Sequence, residues 1–97
     1  MNSISIRELI SLTSPNIIDI RNNYYYNMGH IPSAINIPYY DLLTNHKYYL
    51  NKYNMYYLYC DSGDQSLEIS NRLNSFGYKT MSVSGGYDEY VKIFNIK

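Results

Sequence analysis

The sequence predicts an α/β fold built on a mainly parallel sheet, and three observations lead to that class. Short apolar segments typical of strands alternate along the chain with segments of helical spacing. Residues 17–20 read Ile-Ile-Asp-Ile, a compact β-branched run of the kind found in buried parallel strands. With 97 residues, the chain is long enough for one domain, over 1–97, and too short for two.

The first part of the chain is predicted to contain a strand, a capped helix and a second strand. Residues 3–5 are predicted to form a short edge strand. The helix that follows has Ser5 as its N-cap, with Glu8 three residues later as the capping-box partner. A Ser-Pro-Asn segment at 14–16 ends this helix before the strand at 17–20.

The rest of the chain continues the same alternation. Three more strands are predicted at residues 34–37, 55–59 and 80–83. Helical segments are predicted at 22–28, within 39–53 as one or two short helices, at 66–76 and at 87–94. In the helix at 66–76, Ile69, Leu73 and Phe76 follow helical spacing and share one face.

Composition and charge argue against several classes of function. Eight basic and eight acidic residues give a formal net charge of zero, so nucleic acid binding has no electrostatic support. No apolar run approaches the roughly 20 residues that span a bilayer, and we expect neither a signal peptide nor a membrane partner. The single cysteine cannot form an internal disulfide, which favours a reducing, cytoplasmic compartment. One cysteine and two histidines offer no metal-ligand spacing, so no metal site is predicted.

Cys60 lies at a position typical of a reactive thiolate. It follows the predicted strand at 55–59 and opens a polar loop, residues 61–65, which leads into the helix at 66–76. Loop amides and a helix N-terminus place partial positive charge where the sulfur lies. The alternative is a buried core thiol at a strand end, a common place for a free cysteine.

Four segments carry a resemblance to a known family. They are Ile-Asp-Ile-Arg at 18–21, Gly-His-Ile-Pro-Ser-Ala-Ile-Asn-Ile-Pro at 29–38, Tyr-Cys-Asp-Ser-Gly-Asp-Gln-Ser at 59–66 and Val-Ser-Gly-Gly-Tyr at 83–87. In their order and spacing, and over nearly the whole chain, they resemble a single-domain rhodanese. The resemblance implies a three-layer fold with a mainly parallel five-stranded sheet flanked by helices.

The resemblance also implies a sulfurtransferase mechanism. Cys60 would attack the outer sulfur of a donor, hold it as a persulfide and pass it to a thiophilic acceptor. The six following residues would bind the substrate sulfur through backbone N–H groups: Asp61, Ser62, Gly63, Asp64, Gln65 and Ser66. No cofactor is implied. The implied partners are a small sulfur donor or a persulfide-carrying protein and a thiol acceptor, and we expect a monomer or weak dimer.

The loop departs in charge from active thiosulfate sulfurtransferases, which often have a basic residue where this chain has Gln65. Asp61 and Asp64 are acidic, and no basic residue lies between Lys52 and Arg72. We therefore expect thiosulfate, a dianion, to bind poorly and a persulfide donor to be preferred. The missing arginine also argues against a phosphatase or an arsenate reductase, since both need a guanidinium to bind an oxyanion.

Two other functions stay open from the sequence. The acidic loop is compatible with a non-catalytic module of the same fold that binds a protein partner. Redox sensing by Cys60 would need a resolving thiol from another molecule, because the chain has no second cysteine.

For several residues near the motifs, a structural role is the favoured interpretation. Asp19 and Arg21 end a central strand, and an ion pair or a turn hydrogen bond between them is favoured over a role near the site. His30 is expected to hydrogen-bond within its own turn. Ser66 has a second possible role as a helix N-cap. Ser33 stands where the family usually has glycine, and it costs about 1 kcal/mol if its turn requires a positive φ.

Overall fold

A computed structural model describes residues 2–96 of the chain. Met1 and Lys97, the two ends of the predicted domain 1–97, lie outside the described residues. Within residues 2–96, five strands form one sheet: β1 (Ser3–Ile4), β2 (Asn16–Asp19), β3 (Ile35–Asn36), β4 (Met55–Tyr59) and β5 (Lys79–Val83). Their order across the sheet is β1-β5-β4-β2-β3, and every pair of neighbours is parallel.

Helices connect the strands, and the predicted alternation is confirmed. In the described part of the chain they are α1 (Ile6–Ser11), α2 (Asn23–Met28), α3 (Tyr39–Thr44), α4 (His46–Tyr49), α5 (Asp64–Ser75) and α6 (Gly86–Phe94). The segment 39–53 therefore contains two short helices. Between residues 2 and 96, no helix has both the length and the apolar character that crossing a membrane requires.

Two apolar clusters, one on each face of the sheet, make the three layers. Side chains of β4 alternate between them: Tyr56 and Leu58 belong to the first cluster, Tyr57 and Tyr59 to the second. The helices contribute Leu42, Ile69 and Leu73 to the first cluster and Ile6, Leu9 and Tyr90 to the second. The first face is thus covered by α3 and α5, and the second by α1 and α6.

The helix after the cysteine loop begins earlier than its predicted start. Gly63 has a left-handed backbone, with φ +102°, and is the N-cap, so α5 begins at Asp64. Ser66 therefore lies inside the first turn, and its alternative role as N-cap is wrong. Of the three apolar residues predicted to share one helical face, Ile69 and Leu73 are fully buried, whereas Phe76 follows the helix and is 44% exposed.

Two local predictions agree with the structure, one through side-chain hydrogen bonds and the other through a backbone angle. The hydroxyl of Ser5 accepts a hydrogen bond from the Glu8 N–H at 3.1 Å, and the Glu8 carboxylate accepts one from the Ser5 N–H at 3.0 Å. This is the predicted capping box. Ser33 has φ +71°, a left-handed conformation that costs a residue with a Cβ about 1 kcal/mol.

The chain leaves the neighbouring strands β2 and β4 towards opposite faces of the sheet. From β2 it passes to α2, whose Tyr26 packs on the second cluster, and from β4 to α5, which packs on the first. In open α/β sheets, ligands bind at the carboxyl ends of strands from which the chain diverges in this way. Cys60 directly follows β4 at this edge.

Candidate functional site

The sulfur of Cys60 lies at the start of α5 and accepts hydrogen bonds from two backbone amides. The N–H of Gly63 donates to Sγ at 3.2 Å, and the N–H of Ser66 donates to it at 3.4 Å. Cys60 itself is only 4% exposed. Amide dipoles aimed at the sulfur from the positive end of a helix favour its negatively charged form, which is the nucleophilic one.

The first turn of α6 holds the loop in this shape. The N–H of Tyr87 donates to the Cys60 carbonyl and the N–H of Asp88 to the Asp61 carbonyl, each at 2.9 Å. Gly86 has φ +58°, and a Cβ added there would overlap with both of these carbonyl oxygens. Glycine is therefore required for the helix to approach the loop backbone so closely.

Ser66 contacts the sulfur with its side chain as well as with its amide. Its Oγ lies 3.6 Å from Cys60 Sγ, 3.2 Å from the Gly63 carbonyl oxygen and 2.7 Å from the Oγ of Ser82 on β5. Ser66 and Ser82 are 0% and 1% exposed. The two hydroxyls therefore form a buried hydrogen-bonded pair behind the sulfur.

The other loop side chains face solvent. Asp61 has a side chain that is 61% exposed, and Ser62, Asp64 and Gln65 are exposed as well. Of the six residues predicted around the sulfur, Gly63 and Ser66 are the two whose amides bond to Sγ in the described structure. The acidic loop therefore contributes surface charge at the mouth of the site rather than contacts to the sulfur.

Arg21 connects the end of β2 to this loop. Its guanidinium donates to the Asp19 carboxylate at 2.7 Å and to the Gly29 carbonyl at 2.7 Å, and Nη1 lies 3.6 Å from Asp61 Oδ1. The guanidinium also lies over the ring of Tyr87, 4.1 Å from its centroid. Burial by itself would lower the pKa of Arg21, but the hydrogen bonds to Asp19 and its negative charge outweigh burial and raise it. The predicted Asp19–Arg21 ion pair is confirmed.

Tyr59, the last residue of β4, directly precedes Cys60 and contacts the segment before β3. Its side chain is fully buried, and its hydroxyl oxygen accepts a hydrogen bond from the Ile31 N–H at 3.0 Å. Burial raises the pKa of Tyr59 well above its ordinary value. This tyrosine therefore stays neutral and acts as a structural link between β4 and the segment before β3.

The histidines make local contacts. His30 Nδ1 is 2.9 Å from the Tyr26 carbonyl oxygen, and its ring stacks on that of Tyr26, as expected for bonding within its turn. His46 Nδ1 is 3.0 Å from the Tyr78 hydroxyl. In residues 2–96, no group of three or more His, Cys, Asp or Glu side chains is arranged to hold a metal ion.

Comparison with known proteins identifies the family. The model of the rhodanese-like domain matches residues 5–93, which include the strand β4, Cys60 and its loop. This chain belongs to the rhodanese-like domain family. The match extends over nearly all of the chain and agrees with the three-layer fold that the motifs implied.

Similar proteins include two staphylococcal structures and a yeast protein. SSP1007 from Staphylococcus saprophyticus is 32% identical, with 93% of each chain covered and a TM-score of 0.84. A rhodanese-like domain protein from Staphylococcus aureus is 31% identical, with 89% of this chain and 87% of that one covered and a TM-score of 0.78. The adenylyltransferase and sulfurtransferase uba4 of Ogataea parapolymorpha is 30% identical over 88 residues. The match spans 90% of this chain but only 23% of that relative.

Sequence reasoning about this rhodanese-like domain missed Ser82 and the contact between Arg21 and the cysteine loop. Ser82 lies in the buried strand β5, and its pairing with Ser66 depends on how α5 packs there. Arg21 was assigned to Asp19 alone, although it also lies beside Asp61 of the loop. A small polar residue in a buried strand was the available signal for Ser82, whereas nothing in the sequence pointed from Arg21 to Asp61.

Proposed function

We propose that this protein is a sulfurtransferase that carries sulfane sulfur as a persulfide on Cys60. The observation that carries the proposal is the pair of amide hydrogen bonds from Gly63 and Ser66 to Cys60 Sγ. A structural core thiol needs no such donors, whereas a thiolate nucleophile or leaving group is stabilised by them. The reducing cytoplasm is the compartment we propose for this chemistry, because a free thiol persists there.

The reaction has two balanced steps. The Cys60 thiolate attacks the outer sulfur of a donor R–S–SH, and the donor's S–S bond breaks as the new S–S bond forms. R–S⁻ leaves, and Cys60–S–SH remains with the proton on the outer sulfur. An acceptor thiolate R′–S⁻ then attacks this outer sulfur, forms R′–S–SH and releases Cys60 as the thiolate.

The charges around the loop favour a persulfide over thiosulfate as donor. Asp61 and Asp64 are exposed beside the site and repel a dianion. Arg21, the cation close to the loop, is buried. Its Nε and Nη2 already donate to Asp19 and Gly29, and its Nη1 lies beside Asp61. A low-molecular-weight persulfide or a persulfide-carrying protein brings less negative charge to this surface, and a thiol is the proposed acceptor.

Mass spectrometry after incubation with glutathione persulfide or thiosulfate tests the proposal. We expect Cys60 to gain one sulfur atom, faster from the persulfide, and cyanide to remove it as thiocyanate. The Cys60→Ser variant should gain none, while Ser75→Ala, which changes an exposed side chain at the C-terminal end of α5, should load like the wild type. Absence of sulfur gain from either donor by the folded protein would refute the sulfurtransferase proposal and leave the non-catalytic, protein-binding module as the better explanation.

A further inference from the structure

The buried hydroxyl pair behind the sulfur has a geometry that suits two protonation states of Cys60. Ser66 Oγ is within reach of three groups: Cys60 Sγ at 3.6 Å, the Gly63 carbonyl oxygen at 3.2 Å and Ser82 Oγ at 2.7 Å. Ser82 Oγ is itself 3.5 Å from the Gly63 carbonyl. A serine hydroxyl has one proton to donate, so the arrangement of donors must change when the thiol ionises.

With a thiol at Cys60, the S–H donates to Ser66 Oγ, and the Ser66 hydroxyl donates to the Gly63 carbonyl. With a thiolate, the sulfur has no proton to donate and becomes an acceptor. The Ser66 hydroxyl can then rotate to donate to Sγ, and the Ser82 hydroxyl donates to Ser66 Oγ at 2.7 Å. Hydrogen bonds in such a chain polarise and strengthen one another in a buried site.

We propose that Ser82 is a positioning residue that stabilises the Cys60 thiolate through Ser66. The inference rests on the proposed function, in which the Cys60 thiolate is the nucleophile of the first step and the leaving group of the second. Ser82 does not touch the sulfur. It acts by fixing the direction of the Ser66 hydroxyl, and it would therefore influence both loading and release of sulfur.

A second buried hydroxyl pair between the same two elements provides a matched control. Ser70 of α5 lies one helical turn after Ser66, and its Oγ is 2.6 Å from Thr80 Oγ1 on β5. Ser70 is fully buried, and Thr80 is 3% exposed. Both pairs join α5 to β5 by a short hydroxyl–hydroxyl contact, but only the Ser66–Ser82 pair adjoins the sulfur in the described structure.

Charged groups near Cys60 stay the same in every variant of the test. On the elements packed around the loop they include Asp19 and Arg21 at the end of β2, Asp61 of the loop, Asp64 and Glu68 of α5, and Asp88 and Glu89 of α6. A change in the pH dependence of Cys60 reactivity is then due to the hydroxyls rather than to an altered charge.

The experiment measures the rate of iodoacetamide alkylation of Cys60 from about pH 5 to about pH 10. Ser66→Ala removes a hydrogen bond to a charged sulfur, so it should lower the rate at pH values below the midpoint by about tenfold. Ser82→Ala should lower this rate by about threefold and move the midpoint in the same direction, to higher pH. Ser82→Thr keeps the hydroxyl and should restore the wild-type profile, while Ser70→Ala should leave the profile unchanged.

The double variant Ser66→Ala/Ser82→Ala decides whether Ser82 acts through Ser66. The proposal predicts the profile of Ser66→Ala alone, because the second change has no hydroxyl left to orient. Two results would overturn the proposal. One is a rate in the double variant that falls by the product of the two single effects. The other is a Ser82→Ala profile that matches the profile of Ser70→Ala. Thermal melting checks the folding of each variant. If Ser82→Ala is unstable, Ser82→Val carries the same test, because valine has the shape of threonine without its hydroxyl. Alkylation does not depend on sulfur transfer, so the two proposals can fail separately. If Cys60 gains no sulfur but the variants shift the pH dependence of alkylation as predicted, the proposed function is refuted and the role of Ser82 is not.

Discussion

Arg21 lies 3.6 Å from Asp61, so the buried cation at the end of β2 reaches the first residue of the cysteine loop. The two residues are 40 positions apart in the chain, and the pairing of β2 with β4 brings them together. This contact means that the two acidic loop residues are not equivalent. The charge of Asp61 is partly offset by Arg21, whereas Asp64 has no salt-bridge partner within residues 2–96.

The first prediction concerns the charge at the mouth of the site. Asp64→Asn should raise the ratio of iodoacetate to iodoacetamide alkylation rates at Cys60 by about threefold, since one anion no longer repels the other. Asp61→Asn should raise this ratio less, because Arg21 already offsets that charge. Taking the ratio corrects for changes in the thiolate fraction. High salt should shrink both effects. Equal ratios for wild type and Asp64→Asn would contradict the prediction.

The second prediction concerns the buried ion pair. Arg21→Met should lower the free energy of unfolding by about 3 kcal/mol, because it leaves the fully buried Asp19 carboxylate without its guanidinium partner. Arg72→Met is the control, since Arg72 pairs with Glu68 on the exposed face of α5 and should cost less than about 1 kcal/mol. Urea unfolding measures both. A loss of similar size in the two variants would argue against a special role for the buried pair.

The alternation of strands and helices could be predicted from local patterns. The β-branched residues of β2 and the apolar run of β4 identify buried strands without reference to the rest of the chain. The capping box at Ser5 and Glu8 is likewise a local pattern. Cys60 could be found because a strand, a polar loop and a helix are consecutive in the sequence, and the four motifs then pointed to the family.

What could not be predicted depends on tertiary contacts. Ser66 and Ser82 are 16 positions apart, and they meet only because α5 packs against β5. The start of α5 depends on the left-handed conformation of Gly63. Because Gly63 is the N-cap, Ser66 lies inside the helix. Phe76 matches the helical spacing but follows the last helical residue, so the periodic pattern no longer determines its direction.

The third prediction tests how α6 shapes the loop. Gly86→Ala should lower the alkylation rate of Cys60, because its Cβ would displace the Cys60 and Asp61 carbonyls that accept the α6 amides. Gly77→Ala is the matched control: Gly77 also has a positive φ, +100°, but its Cβ would meet only the flexible side chain of Lys52. Both variants should lose about 1 kcal/mol of stability from backbone strain. Gly86→Ala should lose more, because its Cβ overlaps with the Cys60 and Asp61 carbonyl oxygens. Only Gly86→Ala should also change the reactivity of Cys60, and an unchanged rate in that variant would argue against the role of α6.

The fourth prediction concerns the pH dependence of stability. The backbone hydrogen bond from Ser5, followed by that of its side chain, holds the pKa of Glu8 below its ordinary value of 4.5. Because the folded state has the lower pKa, ionised Glu8 stabilises the fold above about pH 4.5, and this contribution is lost as the pH falls through the folded-state pKa.

Glu8→Gln isolates this contribution, because glutamine still accepts the Ser5 N–H bond of a capping box but has no charge. Urea unfolding at several pH values should show the wild type more stable than Glu8→Gln at neutral pH, with the two converging in acid. Asp41→Asn is the control, since Asp41 is an exposed acid in the first turn of α3, which has no side-chain cap. Its stability difference from wild type should vary less with pH. A Glu8→Gln difference that stays constant from neutral pH into acid would show that Glu8 contributes through its acceptor oxygen alone.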